Sequence, residues 1–424
     1  MESFVVEGLA GQPRLSGEVS IEGAKNAVLP IMAATLVVPG ETKLANVPAI
    51  ADVRAMAKLL EGIGAYTTIA EGHASIRTHD ARGTVLEADT AKRLRASVLL
   101  TGASLARNGS VTFPHPGGCV LGSRPIDLFL SGFGALGCQV TEQPEATTVD
   151  APNGIQGGEI FFTTVSVTAT ETFMIMASAA RSPVTLKNCA MEPEVVALAE
   201  YLNACGGAVS GAGTPTITIH PASLVPHDEP FTIIPDRIEA GSFLMLGALL
   251  GKSVRITNCE PKHLDAPIAV LSGMGVPITV RPGVIEVSRP ERLIPATLRT
   301  HEYPGFPTDL QAPMAVVLTQ ADGESSILET IFDGRLNYAQ ELVRMGARID
   351  VVNPHKALIK GPTPLKARDI DGPDIRAGLA FLLAAALADG VSHIGNAHLI
   401  DRGYERIEEK MRSLGLSIER KATS

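Results

Sequence analysis

Six glycines, at positions 64, 137, 206, 275, 346 and 415, each end an apolar-periodic stretch and open a β-prone one. Their spacings of 73, 69, 69, 71 and 69 residues make the chain an array of six copies of one supersecondary unit. The stretches are DVRAMAKLLEGIGAYTTI, PIDLFLSGFGALGCQV, EPEVVALAEYLNACGGAVS, LDAPIAVLSGMGVPITV, LNYAQELVRMGARIDV and GYERIEEKMRSLGLSI. Each begins polar and carries apolar residues at helical spacing, so each predicts an amphipathic helix that stops near its glycine. A second set interleaves with the first: GAKNAVLPIMAATLV, LRASVLLTGASLA, VTATETFMIMASAA, IEAGSFLMLGALL, DLQAPMAVVLTQ and DIRAGLAFLLAAALA. These are apolar on nearly every face, the pattern of a helix buried all round. Three amphipathic helices wrapped around three buried ones make one compact domain, and six units make two. The expected class is therefore α/β, with two compact domains of three units each. A doubly wound sheet would not demand a wholly buried helix in every unit.

With 424 residues the chain is long enough for two such cores. Aromatic residues are 4%, there is no Trp, and the formal net charge is -9, which argues against a nucleic-acid binder. The opening MESFVVEGLAGQPRL does not read as a secretory signal. The most apolar stretch, AGLAFLLAAALA, is too short to span a bilayer, so a cytoplasmic protein without a membrane partner is expected. The cysteines at 119, 138, 189, 205 and 259 are odd in number and form no C-x-x-C pair, which suits reduced thiols rather than a thiolate metal site. Neither an H-E-x-x-H nor a P-loop pattern occurs, and no metal or organic cofactor is expected.

Polar groups gather where the buried helices begin: Lys25 with Asn26, Arg95, Ser166 with Thr168, Arg237 with Glu239, Asp309, and Arg376. Helix N-termini favour anions, and added Lys or Arg strengthens that preference. A ligand bearing several phosphates or carboxylates is the natural partner. The stretch PHPGGCVLGSRPID adds a cysteine on a Gly- and Pro-rich loop, where a ligand can reach it.

The segments GAKNAVLPI, PGGCVLGSRPIDL, PDRIEAGSF, FPTDLQAPM, IFDGR and IDRGYERIEEK, in this order, closely resemble the motifs of the UDP-N-acetylglucosamine enolpyruvyl transferases. The resemblance implies transfer of the enolpyruvyl group of phosphoenolpyruvate to the sugar 3-hydroxyl, with release of phosphate through a tetrahedral intermediate. This is the first committed step of peptidoglycan precursor synthesis. It implies Cys119 as the acid that protonates the enol carbon, open to alkylation by the epoxide fosfomycin, and Asp309 as general base or orienter at the hydroxyl. Lys25, Arg124 and Arg402 match positions that hold phosphate, and Arg335 and Arg376 match those facing the carboxylate. Asn26, Asp309 and Ile331 match sugar positions, and Arg124, Pro125, Ile126, Asp127 and Leu128 lie along the uridine. Arg95 with Val165, Ser166, Val167 and Thr168 fall near the diphosphate. The resemblance also implies two inside-out, barrel-like α/β domains of three units each, with 25–235 holding the nucleotide and the cysteine loop and 1–24 plus 236–424 forming the second. The other would carry Asp309 and the carboxylate- and phosphate-binding arginines.

These roles agree with the chemistry. Guanidinium groups grip phosphate and carboxylate in two-pronged fashion, and a thiol of pKa about 8.5 is mostly protonated at neutrality and can act as an acid. Two departures stand out. Thr164 replaces a lysine common in the family, and Thr168 replaces a glycine, so the diphosphate positions differ while the phosphoenolpyruvate positions do not. A different uridine-containing acceptor and a non-catalytic uridine-binding paralogue are the alternatives this leaves. The shikimate-phosphate branch lacks a counterpart to the loop cysteine and SRPIDL.

Overall fold

The computed structural model describes residues 2–115, 126–372 and 374–422. These divide into two compact units. One runs from Gly23 to Ile234, and the other joins the stretch up to Glu22 with the stretch from Pro235. For brevity they are the inner-chain unit and the two-ended unit.

Each repeat has one form: a buried helix, a strand, an outer helix and a β-hairpin. In the first, helix Lys25–Ala34 leads to strand Glu41–Ala45, helix Ala51–Ile63, and strands Tyr66–Ala70 and His73–Arg77. The last strand lies between the other two and pairs antiparallel with both. A short parallel strand, Phe231–Thr232, edges the sheet. The sixth repeat is completed from the far end of the sequence: strand Glu2–Glu7 sits between Val391–Gly395 and Ser417–Ala422, antiparallel to both. Six separate sheets result, three in each unit, and none of them closes into a barrel among the described residues.

The six glycines of the repeat all take positive φ, from 83° at Gly137 to 108° at Gly346. Only glycine does this without strain, which is why the helices stop there. The buried helices are Lys25–Ala34, Leu99–Asn108, Val167–Ala177, Arg237–Leu250, Gln311–Leu318 and Ile375–Leu387, matching the all-apolar segments. Within each unit the three pack on one another. Gly102 permits one close approach, because a Cβ there would strike the backbone of Thr172. Each unit has its own apolar core. One outer helix departs from the amphipathic pattern: Pro193–Ala204 is buried on most of its surface, exposing Glu200, Asn203 and Ala204. It packs against helix Lys25–Ala34, while Tyr201 packs edge-on against Phe231 and lies 3.2 Å from the Thr42 hydroxyl.

Candidate active site

In the two-ended unit, Asp309 lies in the short turn Thr308–Leu310 that leads into helix Gln311–Leu318. Buried Glu329 sets this turn: its Oε2 accepts the Thr308 hydroxyl at 2.8 Å, and its Oε1 accepts the N–H of Ile331 at 2.8 Å and of Phe332 at 3.1 Å. Three donors make a buried carboxylate tolerable, and they tie the Asp309 turn to the loop that carries Arg335. Arg335 stacks over the Phe332 ring and donates to Asp309 Oδ1 at 2.6 Å.

Arg376 is the second residue of helix Ile375–Leu387, whose first turn is capped by Asp374 through the N–H groups of Arg376 and Ala377 at 2.8 and 3.0 Å. Its guanidinium meets Asp309 Oδ2 through Nε at 3.0 Å and Nη2 at 2.7 Å. One carboxylate is thus held by two arginines whose side chains are 5% and 8% exposed, against 25% for Asp309. Burial works against charge on Arg376, but Asp309 and then Tyr404 outweigh it, so its pKa rises and the guanidinium stays charged. Two cations on one anion leave a net positive site that suits a second carboxylate. Arg402 is half-buried in the turn after helix Ala397–Ile400, between Asp401, which Arg420 holds at 2.6 and 2.8 Å, and Tyr404. Arg237 opens helix Arg237–Leu250, capped by Asp236. Two residues on, buried Glu239 pairs with Lys410 at 2.7 Å; burial pushes its carboxyl up to about 7 although Lys410 pulls it down.

In the inner-chain unit, Lys25 and Asn26 open helix Lys25–Ala34, and Lys25 Nζ lies 3.5 Å from Asp52 Oδ2. Exposed Arg95 opens the turn Arg95–Val98 that feeds helix Leu99–Asn108. Ser166 caps helix Val167–Ala177 by accepting the Ala169 N–H at 3.3 Å, and Val165, Val167 and Thr168 around it are half-buried. Lys25, Arg95 and Ser166 therefore stand at or just ahead of the starts of three mutually packed helices. Ile126, Asp127 and Leu128 lead into outer helix Asp127–Ala135. Cys119, Arg124 and Pro125 lie outside the described residues. The other four cysteines are buried, and burial pushes the thiols of Cys138, Cys189 and Cys259 up to about 11, where they are inert at neutrality.

The family model of EPSP synthase (3-phosphoshikimate 1-carboxyvinyltransferase) matches residues 9–411. The UDP-N-acetylglucosamine 1-carboxyvinyltransferase of Koribacter versatilis is 40% identical over 424 residues, covering 99% of this chain and 96% of the relative. That of Anaeromyxobacter sp. strain K is 41% identical over 426 residues, covering 99% of both chains. The chain belongs to the UDP-N-acetylglucosamine 1-carboxyvinyltransferase family. The fold agrees: the enolpyruvyl transferase NikO from Streptomyces tendae superimposes with a TM-score of 0.89 at 23% identity, covering 100% of this chain and 99% of that one.

Two residues of this family member escaped the sequence reading, Glu329 and Tyr404. Glu329 closes the strand segment SSILET, and Tyr404 sits in DRGYER; each is a polar residue at the edge of an apolar stretch, a weak signal because many such residues face solvent.

Proposed function

We propose that this protein transfers the enolpyruvyl group of phosphoenolpyruvate to the 3-hydroxyl of UDP-N-acetylglucosamine, releasing phosphate, in the cytoplasm. Two buried arginines converging on one carboxylate carry the reading within the family, since phosphoenolpyruvate brings a carboxylate of the same shape. Arg335 and Arg376 bind that carboxylate, while Lys25, Arg124 and Arg402 hold the phosphate. The sugar hydroxyl adds to C2 of phosphoenolpyruvate as Cys119 delivers a proton to C3, and Asp309 takes the proton of the hydroxyl. Loss of phosphate with a proton from C3 then restores the double bond on the transferred group. Asp309 is free to act once the substrate carboxylate shares its two arginines, so binding and base release are one event. Asn26, Arg95, Ser166, Thr168 and the segment from Pro125 to Leu128 hold the nucleotide sugar, with Ile331 beside Asp309.

The test is phosphate release from phosphoenolpyruvate with and without UDP-N-acetylglucosamine. Release that requires the nucleotide sugar supports the reaction and the acceptor together. Phosphoenolpyruvate binding without release sinks the acceptor assignment and directs attention to Thr164 and Thr168.

A further inference from the structure

Arg376 spends its donors unevenly. Nε and Nη2 share one edge of the guanidinium and both point to Asp309, while Nη1 donates to the Tyr404 hydroxyl at 2.8 Å. Because a guanidinium offers five N–H groups, two remain on the edge between Nη1 and Nη2 for a ligand carboxylate. Which way that edge faces depends on what holds Nη1.

Tyr404 is fully buried, with Ser242 of helix Arg237–Leu250 beside it. Arginine can only donate, so the Tyr404 oxygen accepts from Arg376. Ser242 donates its hydroxyl to the Ile238 carbonyl at 2.7 Å, so toward Tyr404 it can only accept.

We propose that Tyr404 is a positioning residue for Arg376: its hydroxyl sets the guanidinium so that its free edge meets the carboxylate of phosphoenolpyruvate. The proposal rests on the reaction assigned above. Tyr404→Phe keeps the ring and removes the bond. In the full-length protein it raises both the KM for phosphoenolpyruvate and the calorimetric Kd measured without turnover, each about tenfold. The KM for UDP-N-acetylglucosamine moves less than twofold. Ser242→Ala raises the same two constants by a smaller factor, and the double variant is no worse than Tyr404→Phe, because Ser242 acts through the tyrosine. A role in packing alone would lower Tm and leave both KM values in place; that result, or equal rises in the two KM values, overturns the proposal. Wild-type protein that binds phosphoenolpyruvate but releases no phosphate overturns the acceptor reading instead, and the calorimetric comparison still decides on Tyr404.

Discussion

In the two-ended unit Asp309 meets two guanidinium groups and Glu239 meets Lys410, whereas in the inner-chain unit Glu171, buried on helix Val167–Ala177, faces Glu194 and Glu192. Glu171 Oε1 has no hydrogen-bond partner among the described residues. Burial, and then the charges of Glu194 and Glu192, hold its carboxyl well above the ordinary range. Acids in or just ahead of buried helices thus differ, among the described residues, in the number of cations beside them: two, one and none. Each cation beside an acid favours its ionised form. Asp309 alone of the three lies between two arginines, and arginines so placed are suited to recruit a second carboxylate.

Replacing Asp309 tests this most severely. Asp309→Asn cannot take the proton of a hydroxyl, and phosphate release should fall about a thousandfold. The same change removes the carboxylate that occupies Arg335 and Arg376, so the calorimetric Kd for phosphoenolpyruvate should fall severalfold. Weaker binding in this variant would show that Asp309 helps to hold the substrate rather than competing with its carboxylate.

Arg376→Ala takes away one of the two cations and leaves Asp309 and Tyr404 without their shared donor. Stability in urea should drop by about 3 kcal/mol, the scale for breaking a buried pair. An unchanged midpoint would mean that Arg335 alone suffices, and the distinction between two cations and one would lose its force.

How much of this was legible in the sequence depends on range. The buried helices and the outer ones were readable because their signals, continuous apolarity for the first and a terminal glycine for the second, are local. The sheet that takes Glu2–Glu7 between strands near residues 391 and 422 was not, because nothing in a short strand names a partner some 400 residues away. The same limit held for the site. Resemblance assigned Asp309, Arg335 and Arg376 individually, but their ion pairs span 26 and 67 residues, and only the fold shows that the carboxylate and the two arginines touch. Glu329 and Tyr404 act entirely through such partners, so their sequence surroundings could not mark them.

Glu239, with one cation, should report on pH. Its folded pKa of about 7 exceeds the ordinary 4.5, so the folded state holds the proton more tightly. Stability from this group is therefore fully present below pH 4.5, declines as pH rises, and is lost above 7. The loss is on the order of 3 kcal/mol at about 1.4 kcal/mol per pH unit. Glu239→Gln still accepts from Lys410 but cannot titrate, so its urea midpoint should fall less than that of wild type between pH 5 and pH 8. Parallel declines would show that Lys410 keeps Glu239 ionised throughout, which would place it with Asp309 rather than between the two extremes.

The smallest effect belongs to Glu171, where no cation opposes burial among the described residues. The folded state holds the proton of this carboxyl more tightly than the unfolded chain does, so the group favours the unfolded chain increasingly as pH rises above the ordinary carboxyl range. Glu171→Gln presents a neutral group of similar shape that cannot ionise in either state. The variant should therefore match wild type near pH 4.5 and exceed it at pH 8, by on the order of 1 kcal/mol once the cost of burying an amide is set against the gain. Denaturant midpoints at the two pH values decide the matter. A variant less stable than wild type at pH 8 would mean that Glu171 is ionised and held by a cation, and the contrast between the two units would collapse to one of degree.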